Sequence, residues 1–314
     1  MRIVVTGGAG FIGSHLSRRL VDEGHRVAVV DNLDDYYAPA LKRADLRQLA
    51  DSTLFSFQEA DICDSSRIEQ VFTAEQPEAV IHLAARVGVR PSLERPLDYE
   101  ETNVRGTMII LEAARRWGVG KFLFASSSSV YGNTRRVPFT EEDHQMLPIS
   151  PYAATKIAGE KMCYAYSHLY ALPVICLRLF TVYGPRQRPD LAIHKFAKLI
   201  DAGRAVPFYG DGNTARDYTY IDDIVEGFHA ALRLDERYEV INLGNSHPVR
   251  LTELISVLEE KLGKQAILER LPPQPGGVNM TCADISKAAR LLGYSPRTSL
   301  PEGIGKFVEC LRQR

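Results

Sequence analysis

An α/β fold built on a doubly wound parallel sheet follows from three features of the chain. Short apolar runs alternate with helical patterns through the first half, which implies a parallel sheet with helices on both faces. A glycine-rich turn joins the first apolar run to the first helix. After residue 178 the alternation gives way to frequent Gly, Pro and charged residues, as in Gly184-Pro185, Gly210-Asp211-Gly212 and Pro272–Gly277. This change predicts a second, smaller and discontinuous α/β lobe. The length of 314 residues agrees, being more than one core usually serves.

The first strand is Arg2-Ile3-Val4-Val5. It runs into Thr6-Gly7-Gly8-Ala9-Gly10-Phe11-Ile12-Gly13 and a helical stretch from Ser14 to about Glu23. Gly24-His25 ends that helix, and Arg26–Asp31 reads as the next strand. Together they form a strand–helix–strand unit of about 30 residues, the length of a dinucleotide-binding motif. Gly7 allows the tight turn, Gly10 lets the backbone approach a pyrophosphate, and Gly13 lets the helix pack on the strand. Phosphates would sit by Phe11 and Ile12 at the helix N-terminus, where free N–H groups and the dipole attract anions. Asp31 ends the second strand, 18 residues past Gly13, placed to accept from a ribose 2′-OH. A carboxylate there repels a 2′-phosphate, so the cofactor is expected to be NAD on a Rossmann-type sheet.

Further strands are expected at Thr53–Gln58, Ala79–Leu83, Lys121–Ala125 and Pro173–Leu177. Helices are expected at Ser66–Ala74, Asp98–Trp117 and Tyr152–Tyr170. Asn32, Asp61-Ile62 and Leu83-Ala84-Ala85 then stand at carboxyl ends of strands, where open α/β sheets bind ligands. Strand-like Tyr218–Ile221, a helix near Asp222–Arg233 and strand-like Val240–Leu243 are expected to return to the main sheet. The cofactor domain is therefore 1–177 plus about 215–245. The smaller lobe is about 178–214 plus 246–314, with its clearest helices at Thr252–Leu262 and Ile285–Leu292. There is no internal repeat and no low-complexity segment.

Composition narrows the function. Hydrophobic residues are 45% and charged residues 25%, a soluble globular balance. The formal net charge of −1 argues against nucleic acid or an anionic membrane as the main partner. Cys63, Cys163, Cys176, Cys282 and Cys310 are odd in number and scattered, so reduced thiols and no metal site are expected. No signal peptide or membrane-length apolar run is visible, and a cytoplasmic location is the default.

The chemistry centres on Tyr152 and Lys156. Residues i and i+4 share a helix face, and an ammonium beside a phenol favours the phenolate, which a free Tyr with a pKa of about 10 rarely supplies at neutral pH. Pro151 suits the first turn of their helix. Upstream, Ser126–Ser129 directly follow an apolar strand and offer hydroxyls to the same site.

These parts together resemble the extended short-chain dehydrogenase/reductase family, the nucleotide-sugar epimerases and dehydratases, over nearly the whole chain. The resemblance is carried by Thr6–Gly13, Asp31-Asn32-Leu33, Asp61-Ile62, His82–Ala85, Asn103, Ser126–Gly132, Tyr152–Lys156, Arg178–Gly184 and Arg216–Asp223. It implies that Tyr152 is the acid/base, that Lys156 lowers its pKa and bonds the nicotinamide ribose, and that Ser127 relays between the sugar 4-OH and Tyr152. Ser128 and Ser129 become pocket candidates, and Asn103 is expected near the cofactor. Arg216 is assigned the substrate diphosphate, with Lys195 a second phosphate candidate.

Two stretches, Asp31–Tyr37 and Leu179–Pro185, resemble the UDP-glucuronate 4-epimerase branch. Many UDP-glucose 4-epimerases carry Asn where this chain has Thr181. A buried uronate carboxylate needs a hydroxyl or cation partner, and Thr181 and Arg188 are the assigned holders, with Arg90 and Arg186 as further candidates. The implied reaction oxidises C4 with NAD, turns the 4-keto sugar about its diphosphate link and reduces the opposite face. Family decarboxylases typically carry Glu where this chain has Ser129, and dehydratases often carry Asp-Glu near the serine run, which is absent between Ser126 and Val130. UDP-glucose 4-epimerase and UDP-glucuronate decarboxylase remain alternatives. So does a non-catalytic NAD-binding regulatory protein, against which the intact Ser127, Tyr152 and Lys156 argue. The branch usually reads Gln-Pro-Gly-Asp-Val where this chain has Gln274-Pro275-Gly276-Gly277-Val278. A homodimer is implied, through helices at Asp98–Trp117 and Tyr152–Tyr170.

Overall fold

The computed structural model describes residues 1–134, 136–272 and 278–313; Gly277 and its neighbours 273–276 lie outside this set. The strands in chain order are β1 (Arg2–Thr6), β2 (Arg26–Asp31), β3 (Phe55–Glu59), β4 (Ala79–His82), β5 (Lys121–Ser127), β6 (Val174–Leu179), β7 (Thr181–Tyr183), β8 (Ala205–Tyr209), β9 (Ala215–Tyr220), β10 (Tyr238–Leu243), β11 (Pro248–Arg250) and β12 (Ile267–Leu271). Seven of them form one parallel sheet in the order β10-β6-β5-β4-β1-β2-β3. The connections reverse direction between β1 and β4, so a crevice opens beyond the carboxyl ends of these two strands. The middles of the central strands are apolar, as burial on both faces requires: Val4, Val5, Val80, Ile81, Leu123 and Ile175 are fully buried.

Two small sheets stand beyond the carboxyl edge. One is β11-β9-β7, with β7 parallel and β11 antiparallel to β9. The other pairs β12 with β8 in parallel. This corrects the expectation that the strand near Tyr218 returns to the main sheet. The helix Ile221–Leu232 and β10 do return, but β9 pairs with β7 and β11. Its Arg216, Asp217 and Thr219 are ill suited to the interior of a parallel sheet and serve the cleft and a local network instead. Asp217 is fully buried and accepts backbone N–H bonds from Asn245 (2.7 Å), Ser246 (2.9 Å) and Ala283 (2.9 Å), tying three segments together. No helix among the described residues is long and apolar enough to cross a membrane.

The helix expected at Asp98–Trp117 is interrupted. Helix Pro96–Glu100 passes through a wide turn at Glu101–Gly106 into helix Thr107–Arg116. Gly106 lies against Ile62, and a Cβ there would come within 2.6 Å of Ile62 Cδ1. The wide turn carries Asn103 inward, a common use of such π-type turns.

A buried relay locks this region to the sheet. Ala84 N–H donates to Thr6 Oγ1 (3.3 Å), and Thr6 Oγ1 bonds His82 Nδ1 (2.7 Å). His82 Nε2 bonds Thr107 Oγ1 (3.0 Å), which donates to the Asn103 carbonyl (2.6 Å). Because Thr107 Oγ1 donates to Asn103, His82 must carry a proton on Nε2, and with Nδ1 unprotonated it accepts from Thr6 Oγ1. Burial, followed by the charge of Lys156, lowers the His82 pKa to about 3. The unfolded chain therefore binds this proton first, at the ordinary His pKa of about 6.5. The His82 contribution to stability is complete above that value and is lost as pH falls toward about 3. Between pH 7 and pH 5 the loss is expected to be roughly 2 kcal/mol. Urea unfolding at both values should show it, and His82→Gln should shrink the difference; an equal pH dependence in the variant would exclude His82 as the source.

Candidate active site

The crevice forms a cleft of about 1750 Å³ between the carboxyl edge of the main sheet and the two small sheets. That exceeds the roughly 300–1,000 Å³ of a typical ligand pocket and leaves room for two nucleotides. Its cofactor side is the glycine turn. Gly7 adopts φ +69°, and a Cβ there would lie 2.6 Å from the Ala84 amide nitrogen. A Cβ on Gly13 would collide with the Gly7 carbonyl oxygen. The helix Phe11–Asp22 begins after Gly10 with no side-chain cap, which leaves its first N–H groups for an anion. Gly7, Gly10, Phe11, Ile12 and Gly13 all line the cleft. This is the backbone cradle that the pyrophosphate of NAD requires.

Asp31 lines the same side. Its carboxylate accepts from Ala9 N–H (3.1 Å) and Leu33 N–H (2.9 Å), so it shapes the glycine turn as well as facing the cleft. Burial raises its pKa, opposed by nearby Lys42. Asn32 donates to Asp61 Oδ2 (2.8 Å), and Asn32, Asp61, Ile62, Leu83, Ala84 and Ala85 complete this wall. Asn103 sits just behind this wall, beside Thr102 and Arg86, which line it. Its side chain accepts from Arg86 N–H (2.8 Å) and donates to the Arg86 carbonyl (2.9 Å) and Thr155 Oγ1 (3.0 Å). It braces the loop after β4 against the helix Pro151–Tyr170.

That helix sets the reacting centre. Ser150 caps it by accepting from Ala153 N–H (3.1 Å), and Pro151 takes its first turn. Tyr152 meets Tyr99 edge to face at 6.2 Å, and Tyr99 is held by donating to the Val87 carbonyl (2.7 Å). Burial raises the Tyr152 pKa; a hydrogen bond from Ser127 and the charge of Arg188 pull it back down. Ser127 Oγ accepts from Ser129 N–H (3.2 Å) and Ser129 Oγ (3.0 Å), which leaves its own proton for Tyr152.

Lys156 behaves differently from the expectation that it lowers the Tyr152 pKa. Its ammonium donates to the Ala125 carbonyl (2.7 Å) and lies over the Phe124 ring at 5.1 Å. Burial lowers its own pKa to about 8. It curls toward β5, and Ser127 and Arg188 are the groups that act on Tyr152.

Beneath the serine run is a buried ion pair. Glu160 takes two bonds from Arg178, at 2.9 and 2.8 Å, and accepts from Ser126 Oγ (2.5 Å). Arg178 stacks over Tyr131 at 4.8 Å, whose hydroxyl donates to Asn242 Oδ1 (2.7 Å).

The cleft is also lined by Ser128, Thr181, Arg188, Lys195, Arg90 and Arg216. Arg216 donates to the Ala215 carbonyl (2.8 Å), burial lowers its pKa, and among the described residues it forms no ion pair. A desolvated guanidinium without an acid partner is a ready anion site. Arg90 is exposed, over Tyr209 at 5.7 Å. Arg188 is held by Asp190 and lies over Tyr36 at 5.5 Å.

Arg186 is a correction: it does not line the cleft. Its backbone is left-handed at φ +62°, and its side chain reaches His15 Nε2 (3.2 Å) and Gln48 Oε1 (3.3 Å) behind the glycine helix. Several lining residues were not singled out from sequence. Tyr36 lies inside the quoted Asp31–Tyr37 stretch and Asp190 just beyond Arg188, but their mutual contact spans 154 residues. Arg86, paired with Asp34 at 3.0 Å, and Arg270, over Phe208 at 5.4 Å, carry no local signal.

The chain matches the family described as GDP-mannose 4,6 dehydratase over residues 4–307. It is 44% identical to a UDP-glucuronate 4-epimerase of Thermodesulfobacterium geofontis, over 99% of this chain and 96% of that protein. It superposes with a TM-score of 0.94 on the crystal structure of UDP-glucuronic acid 4-epimerase from Bacillus cereus in complex with UDP-glucuronic acid and NAD. That protein is 38% identical, with 100% of this chain and 99% of that one covered. The UDP-glucose 4-epimerase of Thermus thermophilus, solved with NAD, gives a TM-score of 0.91 at 34% identity over 99% of both chains. With a glycine cradle at the sheet's switch point and a match over nearly the full length, the chain belongs to the GDP-mannose 4,6 dehydratase family, among the extended short-chain dehydrogenase/reductases.

Proposed function

We propose that this protein is a UDP-glucuronate 4-epimerase that interconverts UDP-glucuronate and UDP-galacturonate with NAD kept bound. The observation that carries the reading is Arg188, a guanidinium in the cleft whose charge acts on Tyr152. A cation at the reacting end suits a sugar that brings a carboxylate and is unnecessary for a neutral one.

NAD, held by the glycine cradle and Asp31, supplies the hydride acceptor and donor. Tyr152 removes the C4 hydroxyl proton, and Ser127 steadies the phenolate through its hydroxyl. Lys156, held at about 8 by burial, keeps a positive charge near the cofactor side at neutral pH. Arg216 anchors the diphosphate, about which the 4-keto sugar would turn so that the opposite face of C4 is presented for reduction, and Tyr152 returns the proton to the C4 oxygen. The 4-ketone is β to the carboxylate, so carbon dioxide loss competes. Thr181 and Arg188 hold the carboxylate so that the bond to be kept overlaps poorly with the ketone. Ser128, Ser129, Arg90 and Lys195 complete the sugar and phosphate walls. Residues 1–177 with the helix Ile221–Leu232 and β10 form the cofactor lobe in this reading, and the rest closes over the nucleotide sugar.

NMR of UDP-glucuronate incubated with the purified protein tests the proposal. UDP-galacturonate is the expected product. UDP-xylose or a 4-keto pentose would make it a decarboxylase, and turnover of UDP-glucose alone would make it a neutral-sugar epimerase. No turnover of either would leave a regulatory NAD-binding protein.

We also propose a homodimer through the helices Thr107–Arg116 and Pro151–Tyr170. These helices carry the exposed apolar side chains Met108 (40%), Tyr164 (53%), Leu169 (66%) and Tyr170 (49%), which suit association. Analytical sedimentation at the mass of one chain would refute it.

A further inference from the structure

Arg188 is already occupied by an acid of its own chain. Its Nε and Nη2 meet Asp190 Oδ1 and Oδ2 at 3.0 Å each, a fork-to-fork pair. Tyr36 donates to Asp190 Oδ2 at 3.4 Å and lies under the guanidinium. Tyr36, Arg188 and Asp190 all line the cleft, and the Arg188 side chain is only 17% exposed. A guanidinium has five N–H donors, so this pair leaves the Nη1 edge for a ligand.

We propose that Asp190 limits how strongly the cleft prefers a charged sugar over a neutral one. The inference rests on the reading that Arg188 holds the sugar carboxylate. With Asp190 ionised, the guanidinium is compensated before any ligand arrives. A neutral sugar can then bind beside it without leaving a half-buried cation unpaired. Asp190 also takes the side face of the fork, so a uronate meets Arg188 only through its remaining edge. Without the Asp190 charge, a uronate becomes the one ligand that restores the pair, and the neutral sugar is penalised. Asp190 is thus a selectivity residue that acts through Arg188.

Calorimetric titration of the NAD-loaded holoenzyme with UDP-glucuronate and UDP-glucose tests this. The readout is the ratio of the two dissociation constants, UDP-glucose over UDP-glucuronate. In Asp190→Asn, which keeps shape and one acceptor, the ratio should rise about three- to tenfold, the scale of a partly exposed charge pair. Asp190→Ala should move it the same way. In Arg188→Gln the ratio should fall. A ratio that stays level or falls in both Asp190 variants, while Arg188→Gln still lowers it, overturns the role of Asp190 and leaves Arg188 as the carboxylate holder. A ratio unchanged in Arg188→Gln overturns the assignment of Arg188, and the inference with it.

Discussion

Tyr152→Phe is expected to lower epimerisation about 10²- to 10⁴-fold, the range of a lost general acid/base. The ring should stay in place, because its packing against Tyr99 needs no hydroxyl. NAD and nucleotide sugar should therefore bind as in the wild type, and the loss should fall on kcat with KM nearly unchanged. Ser127→Ala should cost less, since it removes only the group that stabilises the phenolate. Steady-state rates with calorimetric binding of UDP-glucuronate separate the two effects. Full activity in Tyr152→Phe would remove Tyr152 from the mechanism.

The largest stability effect is expected at Glu160. Glu160→Gln leaves Arg178, 3% exposed, without its counter-charge. Breaking one partner of a buried pair costs about 3–5 kcal/mol, because the remaining charge stays desolvated. Urea unfolding should show this as a lower midpoint at unchanged slope. Activity should fall as well, since Ser126 bonds Glu160 and adjoins Ser127. The double variant Glu160→Leu, Arg178→Met should recover most of the stability, because a well-packed apolar pair carries no desolvation penalty. If Glu160→Gln unfolds at the wild-type midpoint, the pair is not what holds the serine run.

The contrast between these two positions bears on what a sequence can reveal. That Tyr152 and Lys156 both reach the cleft could be read from spacing, because four residues on a helix fix relative direction. The glycine turn was legible for a similar reason: Gly7 and Gly13 have no room for a Cβ, and that constraint is local. The Lys156 acceptor was not legible, since Ala125 lies 31 residues away on another element. Nor was the place of Asn103, which depends on Gly106 meeting Ile62 and widening the helix. Arg186 and Arg188 stand two residues apart and both offered a guanidinium, but a left-handed φ at Arg186 turns its side chain to His15 on the glycine helix. β9 was assigned to the wrong sheet because strand pairing is decided by partners that a linear pattern does not contain. Asp190 stood two residues from Arg188, in view but without a reason to be read as its partner.

The two backbone bonds that Asp31 accepts bear on any attempt to re-engineer the coenzyme. Neutralising this carboxylate is the obvious first move toward accepting a 2′-phosphate. Here the same oxygens brace the Ala9 and Leu33 amides. A substitution at 31 alone would loosen the turn that cradles the pyrophosphate and weaken both coenzymes together. Coenzyme exchange in this scaffold thus calls for a graft of the whole Asp31–Leu33 corner, with new acceptors for both amides, before a cation is added for the phosphate.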